Sequence, residues 1–346
     1  MIGTLAFAVP GDLSTPTGGY AYDRRMITEL QRFAGSIAVL DLGEGFPRPP
    51  PAIRAAALSK LAAVPPDCPA VIDGLALGAL PEVAALRRSH RLVALVHHPL
   101  ALESGLSRPE IEMLGASERA ALAGVRHVVT TSRTVARILV ADYGVQEARI
   151  TIAPPGTDPA PAARGSQSPA VVLLAVGAIT PRKGYDVLVA ALAMLGASPW
   201  RLTIVGDRHR DPAAAARLEA DIVRFGLSNR IALAGAVSRA RLEAFYDGAD
   251  LFVLASRFEG YGMACADAMA RGLPIIGTIA GAIPDTAPSA LLVPPDNAVA
   301  LAAALEATIA NRGARNRLAA ATRRAARALP TWPASAELLA QAVGRV

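Results

Sequence analysis

Short apolar runs alternate along the chain with longer stretches in which alanine, leucine and arginine recur at helical spacing. In the first half the apolar runs predict strands at residues 2–9, 36–42, 70–72, 92–96, 127–131 and 150–153. The stretches between them predict helices at residues 20–33, 51–63, 80–89, 117–123 and 132–143. Continuous apolar runs are typical of strands that are buried on both faces, so this alternation predicts a parallel α/β sheet.

A linker and a second series of strands and helices follow. Residues 154–169 contain five prolines among Gly, Ala, Ser and Gln, a composition typical of a linker. Beyond it, strands are predicted at residues 171–176, 201–205, 231–234, 251–254, 275–277 and 290–293, with helices at 186–195, 212–225, 239–246, 265–271 and 297–311. The pattern predicts two Rossmann-like domains that face a cleft, 1–160 and 168–330, with a last helix, 332–346, packing back on the first.

The cysteine content and the apolar runs exclude several classes of protein. Cys68 and Cys265 are the two cysteines, and they lie too far apart in the sequence for a disulfide framework or a thiolate metal site. The first apolar run is interpreted as a strand rather than a signal peptide, because no basic segment precedes it and Asp12 follows. The longest apolar runs, such as residues 171–179, are too short to span a bilayer. We therefore expect a cytoplasmic protein, with peripheral contact at the inner membrane face as the alternative.

The charge of the chain changes this picture little. Of 346 residues 35 are basic and 29 acidic, which gives a net charge of +6, and 33 of the basic residues are arginine. The arginines are scattered and accompany no known nucleic-acid motif, so no nucleic-acid partner is expected. Seven arginines of the first domain form either a solvated surface, which we favour, or a face for anionic lipid: Arg24, Arg25, Arg48, Arg54, Arg87, Arg88 and Arg91.

Two motifs in the first domain stand where strands end. Gly18 and Gly19 precede the first helix, where paired glycines allow close backbone approach and a helix N-terminus favours an anion; a plain turn explains them equally well. His97 and His98 follow the strand 92–96, and side chains at the carboxyl ends of parallel strands commonly belong to a site. Because the chain has no HExxH or Asp-x-Asp sequence, no metal is expected.

The second domain offers an Arg-Lys pair at the start of a helix. Arg182 and Lys183 follow the strand 171–176, and two adjacent cations in that position predict a phosphate clamp. A solvated turn is the usual setting of such a pair. Lys183 is, however, one of only two lysines in the chain, and the other, Lys60, has no evident role.

Two acidic residues flank a glycine-rich turn after the strand 251–254. Glu259 stands at the mouth of the loop and Asp267 in the following helix. Between them, Gly260 and Gly262 leave backbone amides free to meet a ligand. Each carboxylate can accept hydrogen bonds from two sugar hydroxyls. The alternative is that Glu259 caps the helix and Asp267 is solvated.

In their order and spacing these segments resemble the family 4 retaining glycosyltransferases, which are nucleotide-sugar enzymes of GT-B fold. The resemblance covers nearly the whole chain. Besides the motifs above it includes residues 154–158, 281–285 and 291–296 and Trp332.

The resemblance implies a role for each motif. The catalytic residues it implies are His97, Lys183 and Glu259. The donor-binding residues it implies are Gly18, Gly19, Arg182, Lys183, Gly260, Tyr261, Gly262, Met263 and Asp267. It implies a metal-independent retaining transfer, without a cofactor, from a nucleoside-diphosphate sugar. The acceptor, which can be a small molecule, a glycan or a lipid, would contact residues 46–51 and 100–114.

Three departures from the family pattern keep an alternative open. Ala178 stands where the family usually has arginine, and Asp267 and Asp285 stand where it usually has glutamate. These changes motivate a non-catalytic nucleotide-sugar-binding protein of the same fold. A nicotinamide dehydrogenase is disfavoured because no G-x-G-x-x-G follows the first strand. The sequence assigns no oligomeric state.

Overall fold

A computed structural model of the chain describes residues 2–103, 105–196 and 198–346. Met1, Ser104 and Ala197 lie outside the described residues; Ser104 belongs to the predicted acceptor segment 100–114. The chain divides into two compact units. One holds the residues up to Gly156 together with Pro330–Val346, and the other holds Thr157–Leu329.

The first unit is built on a six-stranded parallel sheet. Its strands are β1 (Ile2–Val9), β2 (Ala34–Asp41), β3 (Pro69–Asp73), β4 (Arg91–Val96), β5 (His127–Thr130) and β6 (Ile150–Ile152). Its helices are α1 (Gly18–Leu30), α2 (Pro51–Ala62), α3 (Gly74–Leu77), α4 (Arg108–Gly124), α5 (Arg133–Tyr143) and, at the end of the chain, α13 (Trp332–Gly344). Strands β3 and β5 are buried along their whole length, although β3 ends in Asp73 and β5 begins with His127.

The strand order of this sheet is β2-β1-β3-β4-β5-β6. The chain leaves β1 towards β2 on one side and leaves β3 towards β4 on the other, so the direction of winding reverses between β1 and β3. Open α/β sheets bind their ligands beyond the carboxyl ends of the strands at such a reversal. The segments that follow β1, β3 and β4 lie at this edge.

The last helix packs on the first unit through its apolar face. Trp332, Leu339 and Val343 of α13 are buried, and the Trp332 ring lies 5.9 Å from the Tyr22 ring of α1. Ser335 Oγ donates a hydrogen bond of 2.5 Å to the Pro154 carbonyl. Burial of these side chains, rather than local propensity, stabilises a helix far in sequence from the rest of its unit.

The second unit is also built on a six-stranded parallel sheet. Its strands are β7 (Val171–Val176), β8 (Trp200–Val205), β9 (Ile231–Gly235), β10 (Leu251–Leu254), β11 (Ile275–Thr278) and β12 (Leu291–Val293). Its helices are α6 (Tyr185–Ala193), α7 (Pro212–Arg224), α8 (Arg239–Asp247), α9 (Met263–Ala270), α10 (Ile283–Thr286), α11 (Ala298–Ala310) and α12 (Arg312–Ala325). The strand order is β12-β11-β10-β7-β8-β9, the order of dinucleotide-binding sheets, and it reverses between β10 and β7.

The bounds of the predicted helices shift by a few residues in the structure, and two helices differ more. The segment predicted as a helix over 80–89 forms a 3₁₀ helix over Pro81–Leu86. The helix predicted over 117–123 begins at Arg108, because Ser107 and Glu110 form a capping box there. Pro109 and the charged residues around it obscured this early start in the hydrophobic pattern.

Helix α12 was missed by the sequence analysis because it has a weak apolar face. Asn311 caps its N-terminus by accepting a hydrogen bond of 3.0 Å from the Ala314 amide. Arg315 Nη1 donates to the Thr308 and Ile309 carbonyls at 2.9 and 2.6 Å, which satisfies the end of α11. Helix α12 is therefore indicated by its cap and by these carbonyl contacts, and not by a regular spacing of apolar residues.

The proline-rich segment 154–169 has no regular secondary structure, as predicted, but its second part is fixed to the second unit. The Gly165 amide donates to the Asp247 carbonyl at 2.9 Å. Ser166 donates to the Asp250 carboxylate through its amide at 3.0 Å and its hydroxyl at 2.6 Å.

Within the described residues, no helix combines the length and the apolar character that a membrane span needs.

Candidate functional site

A charged cluster lies where the winding of the second sheet reverses. Lys183, in the turn after β7, donates from Nζ to Glu259 Oε1 at 2.7 Å. Arg182 Nη1 donates to the Phe258 carbonyl at 2.8 Å and to Glu259 Oε2 at 3.4 Å. Ser256, directly beyond β10, donates from Oγ to Glu259 Oε1 at 2.6 Å. The structure therefore brings together the Arg-Lys pair and the first of the two predicted carboxylates.

Most of this cluster is shielded from water. The side chains of Arg182, Lys183 and Glu259 are 17%, 15% and 8% exposed. Burial opposes ionisation of Glu259, but the charges of Lys183 and Arg182 and the hydrogen bonds from Lys183 and Ser256 outweigh it and lower the pKa to about 2. Glu259 is therefore a carboxylate, and the cluster carries two positive charges for one negative charge. The excess positive charge is available to an anion.

Glycines allow the turn to lie against the strand ends. Gly184 has a φ of +63°, and a Cβ there would lie 2.0 Å from the Ala255 carbonyl oxygen. A Cβ on Gly177 would lie 2.8 Å from Lys183 Cε, so the lysine side chain passes directly over that backbone. A larger residue at Gly177 would push the lysine side chain aside, and one at Gly184 would collide with the backbone of Ala255.

Arg257 fixes the turn that carries Arg182 and Lys183. Its guanidinium donates to Asp186 Oδ2 at 2.8 Å and to Asp296 Oδ1 at 2.7 Å, and it also bonds the Pro181 carbonyl. No sequence pattern indicated a role for Arg257 or Ser256. Their partners are far away in the sequence, so no local pattern indicated them.

The glycine-rich turn after Glu259 leads into an uncapped helix. Helix α9 begins after Gly262, which has a φ of +95° and supplies no side-chain cap. Tyr261, Gly262 and Met263 therefore place their amides at a helix N-terminus, an arrangement that favours an anion. The Ala282 amide donates to the Glu259 carbonyl at 2.9 Å and fixes the turn from outside.

Asp267 lies within α9 and is partly buried. Burial raises its pKa to about 6, with Arg271 opposing that shift and Asp158 adding to it. Among the described residues, no hydrogen bond joins Asp267 to Glu259 or to the Arg-Lys pair. Asp267 thus forms a separate acidic position. Asp285 lies in the short helix α10, where its amide bonds the Ala282 carbonyl.

A second cluster lies at the carboxyl edge of the first sheet around His97. His97 Nε2 lies 3.2 Å from Asp23 Oδ1 of α1 and 3.2 Å from Asp73 Oδ2 at the end of β3. The Tyr22 ring packs edge-on against the imidazole at 5.2 Å. Thr131 Oγ1 donates to the His97 carbonyl at 3.1 Å. Sequence reasoning found the histidine but neither aspartate, since these stand on different elements.

The two aspartates differ in their ionisation. Burial and the neighbouring Asp73 raise the pKa of Asp23 to about 7. The pKa of Asp73 is lowered despite burial, because His97 donates to it and carries the opposite charge. Burial opposes the charge on His97, but the two carboxylates raise its pKa to about 10. The ligand-type atoms of the three side chains lie within 4.8 Å of one another, a spacing that a metal ion can also use.

Gly18 and Gly19 form the first turn of α1 rather than a free loop. Thr17 caps this helix by accepting a hydrogen bond of 3.3 Å from the Tyr20 amide. A Cβ on Gly19 would lie 3.3 Å from His97 Cδ2, so the glycine allows the imidazole to pack against the helix start. The structure therefore joins Gly19 and His97 in one group. His98 instead faces Glu103 at 3.5 Å, with both side chains more exposed.

Two parallel sheets with polar clusters at their winding reversals define the class of protein. The fold is that of the GT-B glycosyltransferases. Residues 20–161 match the family described as Glycosyltransferase Family 4, and residues 170–311 match the family described as Glycosyl transferases group 1. The chain belongs to these group 1, family 4 glycosyltransferases, as the resemblance predicted.

Curated relatives carry related names. The chain is 30% identical to the D-inositol 3-phosphate glycosyltransferase of Xylanimonas cellulosilytica over 277 residues, 75% of this chain and 66% of that protein. It is 30% identical to the mannosylfructose-phosphate synthase of Agrobacterium fabrum over 173 residues, 45% of this chain and 38% of that protein. The matched part of the chain thus spans less than two thirds of the length of either relative.

Solved structures show the same fold. The sucrose-phosphate synthase of Thermosynechococcus elongatus superposes with a TM-score of 0.82 at 20% identity, covering 100% of this chain and 99% of that one. The Anabaena HepE protein, solved in complex with UDP and glucose, superposes with a TM-score of 0.80 at 17% identity, covering 100% of both chains.

Proposed function

We propose that this protein is a retaining glycosyltransferase that moves a sugar from a nucleoside-diphosphate sugar to an acceptor hydroxyl without a metal or another cofactor. The observation that carries the proposal is the contact of Lys183 and Arg182 with the ionised, buried Glu259 where the second sheet reverses its winding. The family of the chain and the names of its relatives support the same activity.

The Arg-Lys pair would bind the donor diphosphate. Lys183 and Arg182 exceed the charge of Glu259 by one, and the amides of Tyr261, Gly262 and Met263 open the uncapped α9 beside them. Negative charge grows on the diphosphate as the sugar leaves. Fixed cations that face this charge stabilise the transition state more than the ground state.

Glu259 would bind the donor sugar rather than act as a base. With a pKa of about 2, its carboxylate is too weak a base to take a proton from a hydroxyl group. It can accept hydrogen bonds from hydroxyls that stay protonated. Asp267 would accept from the ribose, with its shorter side chain reaching less far than a glutamate.

Retention would follow from attack on the face that the diphosphate leaves. The acceptor oxygen forms a bond to the anomeric carbon as the bond from that carbon to the diphosphate oxygen breaks. The departing diphosphate oxygen takes the acceptor proton, so the reaction needs no protein base. This route suits a site whose nearest carboxylate, Glu259, is fully ionised and held by two cations.

The first unit would bind the acceptor, with Gly18, Gly19 and His97 at the carboxyl edge of its sheet. The relatives named for phosphorylated sugars and inositol phosphate favour a hydroxylated, phosphate-bearing acceptor over a lipid. A lipid-binding arginine face is disfavoured because two of its seven members pair with carboxylates: Arg48 with Glu110 and Arg54 with Glu82. Sedimentation with anionic vesicles at low salt tests this, and lipid-dependent pelleting would restore the membrane hypothesis.

The experiment begins with a thermal-shift screen of UDP-, GDP- and ADP-sugars, since a ligand that binds the native state raises its melting temperature. The donor that binds is then incubated with a panel of sugar phosphates and inositol phosphates, and free nucleoside diphosphate is measured by ³¹P NMR. We expect diphosphate release that depends on an acceptor. Donor binding without transfer to any acceptor would favour the non-catalytic alternative, and no binding would contradict both.

A further inference from the structure

The environment of His97 Nε2 fixes the orientation of the imidazole ring. Two carboxylate oxygens, from Asp23 and Asp73, each lie 3.2 Å from this one nitrogen. Above the pKa of Asp23 both groups are carboxylates, which only accept, so Nε2 carries a hydrogen. It donates to Asp23 Oδ1 and lies beside Asp73 Oδ2. Nδ1 is then the ring nitrogen left over. In the described part of the chain, no group hydrogen-bonds to Nδ1.

The charges around the ring decide whether Nδ1 carries a hydrogen. Asp23 and Asp73 are 0% and 3% exposed, and the charged groups that act on Asp23 are Asp73 and His97. Two buried carboxylates need a compensating positive charge, and here the imidazole supplies it. The Tyr22 ring and the backbone of Gly19 cover the imidazole on other sides and bring no charge.

Both aspartates are held in place independently of His97. Asp73 Oδ1 accepts the Leu75 amide at 2.7 Å and so caps α3, while its Oδ2 faces the ring. Asp23 lies on α1, a helix fixed by its Thr17 cap and by Tyr22, whose hydroxyl donates to the Ala153 carbonyl at 2.9 Å. Asp23 Oδ2 is buried without a hydrogen-bond partner. A buried, unpaired oxygen beside an imidazole is retained at a cost, which indicates a role for Asp23 beyond packing.

We propose that Asp23 and Asp73 are positioning residues that hold His97 as an imidazolium, so that it presents Nδ1–H to the substrate as a charged hydrogen-bond donor and does not act as a general base. His97 is then preorganised, because both its charge and its ring orientation are set before any ligand binds. The part of the inference that concerns the substrate rests on the proposed function. The part that concerns the ring does not.

The state of the ring can be measured directly. Long-range ¹H–¹⁵N NMR spectra distinguish a doubly protonated imidazole from either neutral tautomer, and His97 is assigned among the five histidines by comparison with His97→Gln. At a pH of about 8.5, where an ordinary histidine is neutral, we expect His97 to remain doubly protonated. A neutral ring with a free Nδ1 lone pair at that pH would overturn the proposal, as would a ring that loses a proton to added Zn²⁺.

Substitutions of the two aspartates test whether these residues keep His97 charged. Asp73→Asn keeps an acceptor for the Leu75 amide but removes the ionised partner, so His97 should become neutral at that pH. Asp23→Asn should also lower the pKa of His97, because it removes the other carboxylate. This variant provides the test if Asp73→Asn does not fold. Glu82→Gln is the matched control, because it alters an exposed carboxylate of the first unit that pairs with Arg54. A ring that stays charged in both aspartate variants would contradict the assignment.

Binding measurements separate this inference from the proposed function. By calorimetry, Asp73→Asn should weaken binding of the nucleotide-sugar roughly tenfold through loss of a charged hydrogen bond. Binding of the nucleoside diphosphate alone, which contacts the second unit, should not change. Equal loss for both ligands would overturn the substrate role of His97. If the wild-type protein binds no nucleotide-sugar, the proposed function fails while the NMR result still decides the state of the ring.

Discussion

Replacing Lys183 with methionine should destabilise the protein by leaving Glu259 buried with one cation fewer. The folded structure lowers the pKa of Glu259 from 4.5 to about 2, with Lys183 the strongest of the groups that lower it. A shift of that size corresponds to about 3 kcal/mol of stability at neutral pH. Because Arg182 remains, we expect Lys183→Met to cost about 2 kcal/mol, which lowers the melting temperature of a unit of this size by about 4–8 °C.

The chain supplies a matched control for this measurement. Lys60 is the other lysine. It is exposed, and among the described residues it bonds only the Asp41 carbonyl. In thermal denaturation followed by circular dichroism, Lys60→Met should leave the melting temperature within about 1 °C of the wild type. The double variant Lys183→Met with Glu259→Gln should recover most of the loss, since no uncompensated charge stays buried. Equal melting temperatures for Lys183→Met and the wild type would refute the reasoning.

Three further predictions concern the second unit. Gly184→Ala should cost about 3 kcal/mol or more in chemical denaturation, because its φ is +63° and its Cβ would meet the Ala255 carbonyl, whereas Gly196→Ala, with open space around it, should change stability by less than about 0.5 kcal/mol. The pKa of Glu259 is depressed in the folded state, so its contribution to stability should be present above pH 4.5 and lost as the pH falls towards 2; Glu259→Gln should abolish that acid dependence in urea titrations at stepped pH. The pKa of Asp267 is raised from 3.8 to about 6, so ionisation costs stability as the pH rises through that range, and Asp267→Asn should raise the melting temperature at neutral pH while weakening donor binding; a lower melting temperature would contradict the burial of this carboxyl.

The sheets could be predicted because their central strands are largely buried. Strands such as β7 and β10 are apolar without interruption, and their alternation with amphipathic stretches predicted the α/β class. Helix α12 could not be predicted, because its stability depends on the Asn311 cap and on Arg315 bonding the end of α11. The early start of α4 depends on the capping box of Ser107 and Glu110, which a search for apolar period overlooks.

The sequence indicated those candidate site residues that belong to local motifs. Lys183 stood out by its rarity, Glu259 by its glycine-rich turn and His97 by its position after a strand. Partners that come from other elements were not predicted: Asp23, Asp73, Ser256 and Arg257 contact the motifs only in the folded chain. The state of each motif depends on these partners, since they set the charges of His97 and Glu259 and fix the turn that carries Lys183.

The central claim is that the Arg-Lys pair binds the diphosphate of a nucleotide-sugar. The most direct test is the calorimetric affinity of the donor found in the thermal-shift screen for the wild type, Lys183→Met and Lys60→Met. Loss of a charged hydrogen bond to a phosphate predicts roughly tenfold to hundredfold weaker binding by Lys183→Met and unchanged binding by Lys60→Met. Wild-type affinity in a folded Lys183→Met protein would contradict the claim.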